Sequence, residues 1–278
     1  MQEIYLNPEH APSLLPDGTK WTLVWNDEFD GTELDRTKWD YRLSMMGKRH
    51  PTWVDDGVSL DGNSNAVFRI YEKDGEICSS QLQTGYNYMD TIVEKSKFGA
   101  DDLQWPIGPL HQNKFTHGFG YYECRCKLQE TEGWWSAFWL QSPIIGCCLD
   151  PKIAGIEVDV MECFHHGAIA PHNLFFGGYG KDMQNRHVGG VKGLDTSVYH
   201  VFGVNWNAQG YTFYIDGQED GRIEAPVSHQ EQFVLISTEV QGYRREDHRP
   251  SSEAYQTLKA GDRFLVDYVR VYDAVNEK

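Results

Sequence analysis

A chain of 278 residues that is 40% hydrophobic and 13% aromatic can form a sizeable core, and its length suits one large domain. Its formal net charge of −16 argues against a nucleic acid partner, because proteins that bind phosphate backbones need clustered lysine and arginine. The apolar stretches are short and broken by charged residues, so the sequence predicts no membrane span.

Period-two alternation dominates the chain and predicts strands. In chain order, the clearest predicted strands cover residues 120–128, 133–140, 155–164, 211–215 and 264–272. Asp-Gly pairs, which favour hairpin turns, occur at Asp30-Gly31, Asp56-Gly57, Asp61-Gly62, Asp74-Gly75 and Asp216-Gly217. Long amphipathic helical stretches are missing, so we predict an all-β fold, an antiparallel β-sandwich with large loops. The irregular stretches 43–65, 87–115 and 167–194 are candidate rims of a binding site.

Six cysteines lack the spacing of a disulfide scaffold or of a zinc site. They are Cys78, Cys124, Cys126, Cys147, Cys148 and Cys163. We expect buried, mostly reduced thiols.

The predicted strand at 133–140 is rich in tryptophan. Alternation places Trp135, Ala137 and Trp139 on one face, with Trp134 and Phe138 on the other. A tryptophan in a strand is usually part of the core. Two on one face, beside an acidic strand, favour instead a flat apolar platform of the kind on which sugar rings stack.

The next predicted strand carries the acids Glu157, Asp159 and Glu162. Glu157 and Asp159 share a face, and a β-bulge between Asp159 and Glu162 would bring Glu162 to the same face. The apolar residues between them point to the core, so we expect one face of this strand to line a cleft. From this pattern alone, catalysis and a solvated edge or cation site remain open alternatives.

Retaining glycosidases need two neighbouring carboxyl groups, one to attack the anomeric carbon and one to protonate the leaving oxygen. We therefore predict Glu157 as nucleophile and Glu162 as general acid/base, with Asp159 assisting between them. Repulsion from an ionised Glu157 should keep Glu162 protonated to higher pH.

With these residues in place, the chain resembles glycoside hydrolase family 16. Glu157-x-Asp159-x-x-Glu162 is similar to the bulged signature of that family, and residues 25–31, 120–128, 133–140, 199–206, 214–217 and 266–272 resemble further family segments in the expected order. Ser136 replaces a usual proline, and residues 141–154 and 164–187 differ from the common laminarinase pattern. These departures leave the substrate open.

The resemblance implies a curved, concanavalin-like jelly roll with an open cleft on its concave sheet, and one catalytic domain over residues 1–278. It also implies sugar contacts at Trp135, Trp139, Trp206, Trp53 and His172. No cofactor is implied for catalysis. Many members bind a structural Ca²⁺, and the corresponding ligands here would be backbone carbonyls of Glu28 and Gly75 and the carboxylate of Asp267. An Asp267 held by backbone amides without metal is the alternative.

The expected activity is endo-cleavage of β-1,3- or mixed-linked β-1,3/1,4-glucan, a neutral polysaccharide that suits an acidic protein. The alternatives are a galactan hydrolase acting on agar, porphyran or mucin-type chains, a transglycosylase, and a jelly roll that binds glycans without cutting them. We expect a monomer that is secreted, periplasmic or on the cell surface. Because Met1 begins a polar stretch, its export signal would have been removed.

Overall fold

The computed structural model describes residues 1–91, 111–240 and 261–275, and its strands follow the period-two pattern of the sequence. Part of the predicted rim at 87–115, namely residues 92–110, lies outside the described residues. The strands in the first half of the chain are β1 Gln2–Ile4, β2 Ser13–Leu15, β3 Lys20–Asp27, β4 Asp40–Tyr41, β5 Ser44–Met45, β6 Lys48–Arg49, β7 Val58–Leu60, β8 Ala66–Phe68, β9 Tyr71–Lys73, β10 Glu76–Cys78, β11 Gln81–Gln83, β12 Gly120–Lys127 and β13 Trp134–Gln141. Those in the second half are β14 Glu157–Cys163, β15 Ala168–Ile169, β16 His172–Phe176, β17 Gln184–Val188, β18 Val191–Lys192, β19 His200–Asn207, β20 Gly210–Ile215, β21 Gln218–Ile223, β22 Phe233–Val240 and β23 Phe264–Val275.

Helix is confined to two single turns in the described residues, a 3-10 turn at Tyr88–Asp90 and the α-helix α1 at Pro151–Ala154. Asp150 caps α1 by accepting a hydrogen bond from the backbone N–H of Lys152. Neither turn approaches the length of a membrane-crossing helix. The predicted all-β antiparallel sandwich is confirmed.

Two large antiparallel sheets face each other. We call the seven-stranded sheet, with strand order β17-β16-β14-β13-β22-β11-β4, the cleft sheet. The eight-stranded outer sheet has strand order β21-β20-β19-β12-β23-β8-β7, with β3 also paired to β23. The main hydrophobic core lies between them and takes Phe138 and Val158 from the cleft sheet and Phe202 and Val269 from the outer sheet.

The predicted hairpin turns are confirmed at three of the five Asp-Gly pairs. Asp216-Gly217 joins β20 to β21 and Asp74-Gly75 joins β9 to β10, with positive φ at all four residues, as a two-residue turn requires. Asp61-Gly62 lies in the longer loop between the paired strands β7 and β8. The prediction is wrong at Asp30-Gly31 and Asp56-Gly57, because the strands on either side of them do not pair.

Four of the cysteines are buried, as predicted: Cys78, Cys124, Cys126 and Cys163. Cys147 is exposed and Cys148 is half-buried, so the expectation of burial is wrong for this adjacent pair, which lies in the loop after β13. All six are free thiols in this structure.

Candidate active site

The face of the cleft sheet that points away from the core forms the floor of an open cleft of about 740 Å³. Strand β13 supplies Trp135, Ala137, Trp139 and Gln141 to this cleft, whereas its alternate residues, such as Phe138, enter the core. The two-sided alternation predicted for this strand is therefore confirmed.

Strand β14 supplies Glu157, Asp159 and Glu162 to the same cleft. Its pairing with β13 shifts register, since Phe138 lies opposite Met161 and Trp139 lies opposite Asp159. Val160 is thus the extra residue of a β-bulge, and both Val160 and Met161 are fully buried. The bulge lies between Asp159 and Glu162, as predicted, and it brings all three acids to one face.

Gly155 sets the entry of the chain into β14. It has a φ of +83°, and a Cβ at this position would lie 2.2 Å from the Cβ of Ser142. Only glycine combines this conformation with so close an approach. The Ser142 hydroxyl donates to the carbonyl of Ala154 at 2.8 Å, which holds the start of β14 against the end of β13.

Each glutamate has a hydrogen-bond donor from a neighbouring element. The indole N–H of Trp135 donates to Oε1 of Glu162 at 3.0 Å. On Glu157, Oε2 accepts from Gln141 Nε2 at 3.2 Å and from the Tyr179 hydroxyl. Burial, followed by the neighbouring Glu157, raises the pKa of Tyr179 well above its usual value, so this hydroxyl keeps its proton. Asp159, between the two glutamates, is 4% exposed.

A buried arginine forms part of the cleft wall. Arg42, next to β4, contacts Oδ2 of Asp90 at 2.8 Å through both Nε and Nη2. Its guanidinium also stacks on Trp139 and on Trp53, with 5.2 and 5.4 Å to the ring centroids. Asp90 thus neutralises Arg42. The cleft lining in the described residues holds four acidic groups, Glu157, Asp159, Glu162 and Asp90, against Arg42 and His187.

Of the five predicted sugar contacts, Trp135 and Trp139 line the cleft. The indole N–H of Trp139 donates to the Ser237 hydroxyl at 3.1 Å, which fixes the ring. The ring of Trp135 packs 5.0 Å from Phe164, which extends the apolar surface near Glu162.

The other three predicted contacts are wrong, because each of these side chains is buried away from the cleft. Trp206 belongs to the outer sheet and faces the core, where it is fully buried and stacks on Tyr211. Trp53 is also fully buried. The Arg42 guanidinium covers its ring, which stacks on His50 with 4.2 Å between the ring centroids.

His172 is the third wrong prediction. It lies on β16 and faces the core, with its ring stacked on Phe213 at 4.5 Å and its Nδ1 2.7 Å from the carbonyl oxygen of Val160. Burial lowers the pKa of His172. The next residue, Asn173, points the opposite way and lines the cleft.

The predicted calcium site is not confirmed. The Asp267 carboxylate is paired with Arg125 at 2.5 Å, so the only side-chain ligand of the set already has a cation. The Glu28 carboxylate accepts two hydrogen bonds from Arg270, at 2.6 and 2.9 Å. Gly75 forms the β9–β10 turn. No group of three or more metal-binding side chains occurs in the described parts of the chain.

Arg42, Gln141 and Tyr179 were missed from the sequence. Gln141 could have been found, because it continues the alternation of Trp135, Ala137 and Trp139. Arg42 and Tyr179 carry no such signal, since they reach the cleft from the residue after β4 and from the loop between β16 and β17.

Known proteins resemble this chain in sequence and in structure. It is 25% identical to the glucan endo-1,3-beta-glucosidase A1 of Niallia circulans over 90% of this chain and 37% of that protein. It is 33% identical to the beta-porphyranase D of Zobellia galactanivorans over 48% of this chain and 27% of that protein. The chain thus spans well under half the length of these two curated relatives.

Among solved structures, the catalytic domain of an endo-1,3-beta-glucanase (laminarinase) from Thermotoga petrophila superposes with a TM-score of 0.62. The identity is 19%, and the match covers 93% of this chain and all of that domain. This likeness shows the same fold, a jelly roll. The family model for glycosyl hydrolases family 16 matches residues 48–241, more than half of the chain, and the chain therefore belongs to glycosyl hydrolases family 16.

Proposed function

We propose that this protein is a retaining, endo-acting glycoside hydrolase. Glu157 is the nucleophile, Glu162 is the general acid/base, and Asp159 assists between them. The observation that carries the proposal is the bulge at Val160, through which all three acids line one open cleft. An open cleft accepts the interior of a long chain, which supports endo-cleavage.

The two steps use these side chains alone, and no cofactor takes part. Glu157 forms a bond to the anomeric carbon while the electron pair of the glycosidic bond leaves with the departing oxygen, which takes a proton from Glu162. Water then attacks the same carbon, gives its proton to Glu162 and releases Glu157 as a carboxylate. Two inversions leave the anomeric configuration retained.

The proposed substrate is a neutral β-glucan with β-1,3 or mixed β-1,3/1,4 linkages. The Niallia circulans relative is named for endo-1,3-β-glucan cleavage, which supports this class. The cleft charge supports it as well, because the lining acids outnumber the basic groups and Arg42 is already paired with Asp90. An anionic polymer would meet a net negative surface.

A galactan hydrolase is the second candidate. It is favoured by the 33% identity to a beta-porphyranase and by His187, which is exposed on the edge strand β17 and lines the cleft. A histidine there could donate a hydrogen bond to a sulphate ester.

We also propose that residues 1–278 form one catalytic domain, supported by the main core of the described residues, to which both large sheets contribute. Because a polysaccharide is met outside the cell, the proposed location is secreted, periplasmic or at the cell surface. The proposed state is a monomer.

The test is a screen of laminarin, barley β-glucan, agar, porphyran and mucin. Reducing ends from one of the two glucans, with long oligosaccharides as early products, would support the proposal. Proton NMR should show the β-anomer as the first product. No cleavage of either glucan, together with cleavage of a galactan, would replace the substrate assignment, and a first product of inverted configuration would refute the mechanism.

Variants separate catalysis from binding. Glu157→Gln should abolish turnover and still bind the polymer, and Glu157→Ala should regain bond cleavage with azide, giving an α-glycosyl azide by a single inversion. The matched control is Glu33→Gln, an exposed glutamate outside the cleft lining. Full turnover by Glu157→Gln would leave a glycan-binding protein or a different nucleophile as the explanation.

A further inference from the structure

Two donors meet at one oxygen of Glu157 and also contact each other. The side-chain amide of Gln141 and the hydroxyl of Tyr179 both donate to Oε2, and the same amide nitrogen also donates to the Tyr179 hydroxyl. Gln141 comes from the end of β13 and Tyr179 from the loop between β16 and β17, so two separate elements converge on β14.

Two groups can donate a proton to this oxygen. The Gln141 amide nitrogen carries N–H donors, contacts both Glu157 Oε2 and the Tyr179 hydroxyl, and has no acceptor function of its own. The single hydroxyl proton of Tyr179 then goes to Glu157. Turning the amide over would face its oxygen towards the carboxylate, so the orientation of Gln141 is fixed.

Backbone geometry holds Tyr179 in this place. Gly177 and Gly178 precede it with φ of +81° and +78°. A Cβ on Gly177 would lie 2.4 Å from the carbonyl oxygen of Asp182, and one on Gly178 would lie 3.1 Å from the Cα of Gly146. Both approaches require glycine. The loop is therefore shaped to carry one tyrosine to the nucleophile strand.

We propose that Tyr179, supported by Gln141, is a positioning residue that holds the Glu157 carboxylate through Oε2 for attack on the anomeric carbon. The inference rests on the proposed function of Glu157. In the first step Glu157 bonds to the anomeric carbon while the electron pair of the glycosidic bond leaves with the departing oxygen, which takes a proton from Glu162, and Oε2 keeps both donors. In the second step water attacks the same carbon, its proton goes to Glu162, and the electron pair of the ester bond returns to Glu157.

This role has a consequence for the pH profile. Hydrogen bonds donated to a carboxylate favour its ionised form, which is the form that attacks. Loss of the Tyr179 hydroxyl should therefore move the acid limb of kcat/KM to higher pH. One hydrogen bond to a charged group corresponds to roughly one to two pH units.

The test compares Tyr179→Phe with Tyr71→Phe on the polysaccharide that the wild-type enzyme cleaves. Tyr71 is the matched control because its hydroxyl also donates to a carboxylate, that of Asp56, but lies outside the cleft lining. Tyr179→Phe should lower kcat by about 10- to 100-fold with little change in KM, because the nucleophile is misplaced and the substrate contacts remain. Its acid limb should move up in pH, and that of Tyr71→Phe should stay at the wild-type position.

A second variant covers a failure of Tyr179→Phe to fold, which circular dichroism would reveal. Gln141→Leu removes the other donor to Oε2 and should move the acid limb in the same direction. An acid limb at the wild-type pH in both variants overturns the inference while Glu157→Gln is still inactive. Normal turnover by Glu157→Gln would instead refute the proposed function, and the positioning role with it.

Discussion

Glu123 on β12 offers a sharp test of how burial governs the stability of this fold. Its side chain is fully buried in the outer sheet, beneath the N-terminal segment that includes β2. Oε2 accepts a hydrogen bond from the backbone N–H of Leu14 at 3.1 Å. Burial raises the pKa of Glu123 from 4.5 to about 7, although Ser13, Arg270 and Leu14 offset part of the effect.

The shift determines how stability depends on pH. Because the pKa is higher in the folded state, the protonated form is favoured by folding, and its contribution is fully present below pH 4.5 and is lost as the pH rises through about 7. A rise from 4.5 to about 7, at about 1.4 kcal/mol for each pH unit, corresponds to roughly 3 kcal/mol. Glu123→Gln keeps the shape and an acceptor for Leu14 but does not titrate.

Urea unfolding followed by tryptophan fluorescence between pH 5 and pH 8 measures this difference. The free energy of unfolding of wild type minus that of Glu123→Gln should fall by more than about 2 kcal/mol over this range, while other titrating groups cancel because both proteins share them. The exposed Glu33→Gln serves as the control and should track wild type. Parallel curves for wild type and Glu123→Gln would refute the reasoning.

Three further predictions concern Trp135 in the cleft, the buried His172, and Asp267 of the predicted calcium site. Trp135→Phe keeps an aromatic face but loses the N–H bond to Glu162, so kcat/KM should fall by roughly tenfold, and steady-state rates equal to wild type would contradict that role. His172→Phe should leave KM unchanged and lower the free energy of unfolding by about 1–3 kcal/mol, because the bond to the Val160 carbonyl and the contact of Nε2 with Asp220 at 3.1 Å are both lost; a large rise in KM would restore His172 as a sugar contact. Because Arg125 already pairs with Asp267, the Tm by differential scanning calorimetry should be the same in EDTA and in calcium chloride, and a higher Tm with calcium would contradict this.

Local patterns predicted much of the fold and the catalytic strand. Alternation in β13 correctly separated Trp135 and Trp139 from Phe138, and the spacing of the acids in β14 correctly required a bulge. Both predictions depend on a period of two residues, which the backbone of a strand imposes on any sequence. The structure confirms where Glu157, Asp159 and Glu162 lie, and their catalytic roles remain predictions.

The three wrong sugar contacts were implied by the family resemblance. A resemblance along the chain does not say what packs against each side chain. Trp206 has the composition and strand context of a sugar platform, yet its face is turned towards the opposite sheet. Trp53 and His172 are likewise covered by residues of other segments, Arg42 and Phe213. Asp30-Gly31 and Asp56-Gly57 are residue pairs typical of hairpin turns, but the strands on either side of each pair do not pair with each other.

The sequence by itself determined the all-β class, the shared face of Glu157, Asp159 and Glu162, and the bulge that this face requires. Tertiary structure alone decided that this face is open to solvent, that Asp90 neutralises Arg42, and that Tyr179 reaches Glu157. The physical reason is distance along the chain. Strand periodicity acts over neighbouring residues, whereas burial and hydrogen-bond partners depend on elements that are brought together only when the two sheets pack.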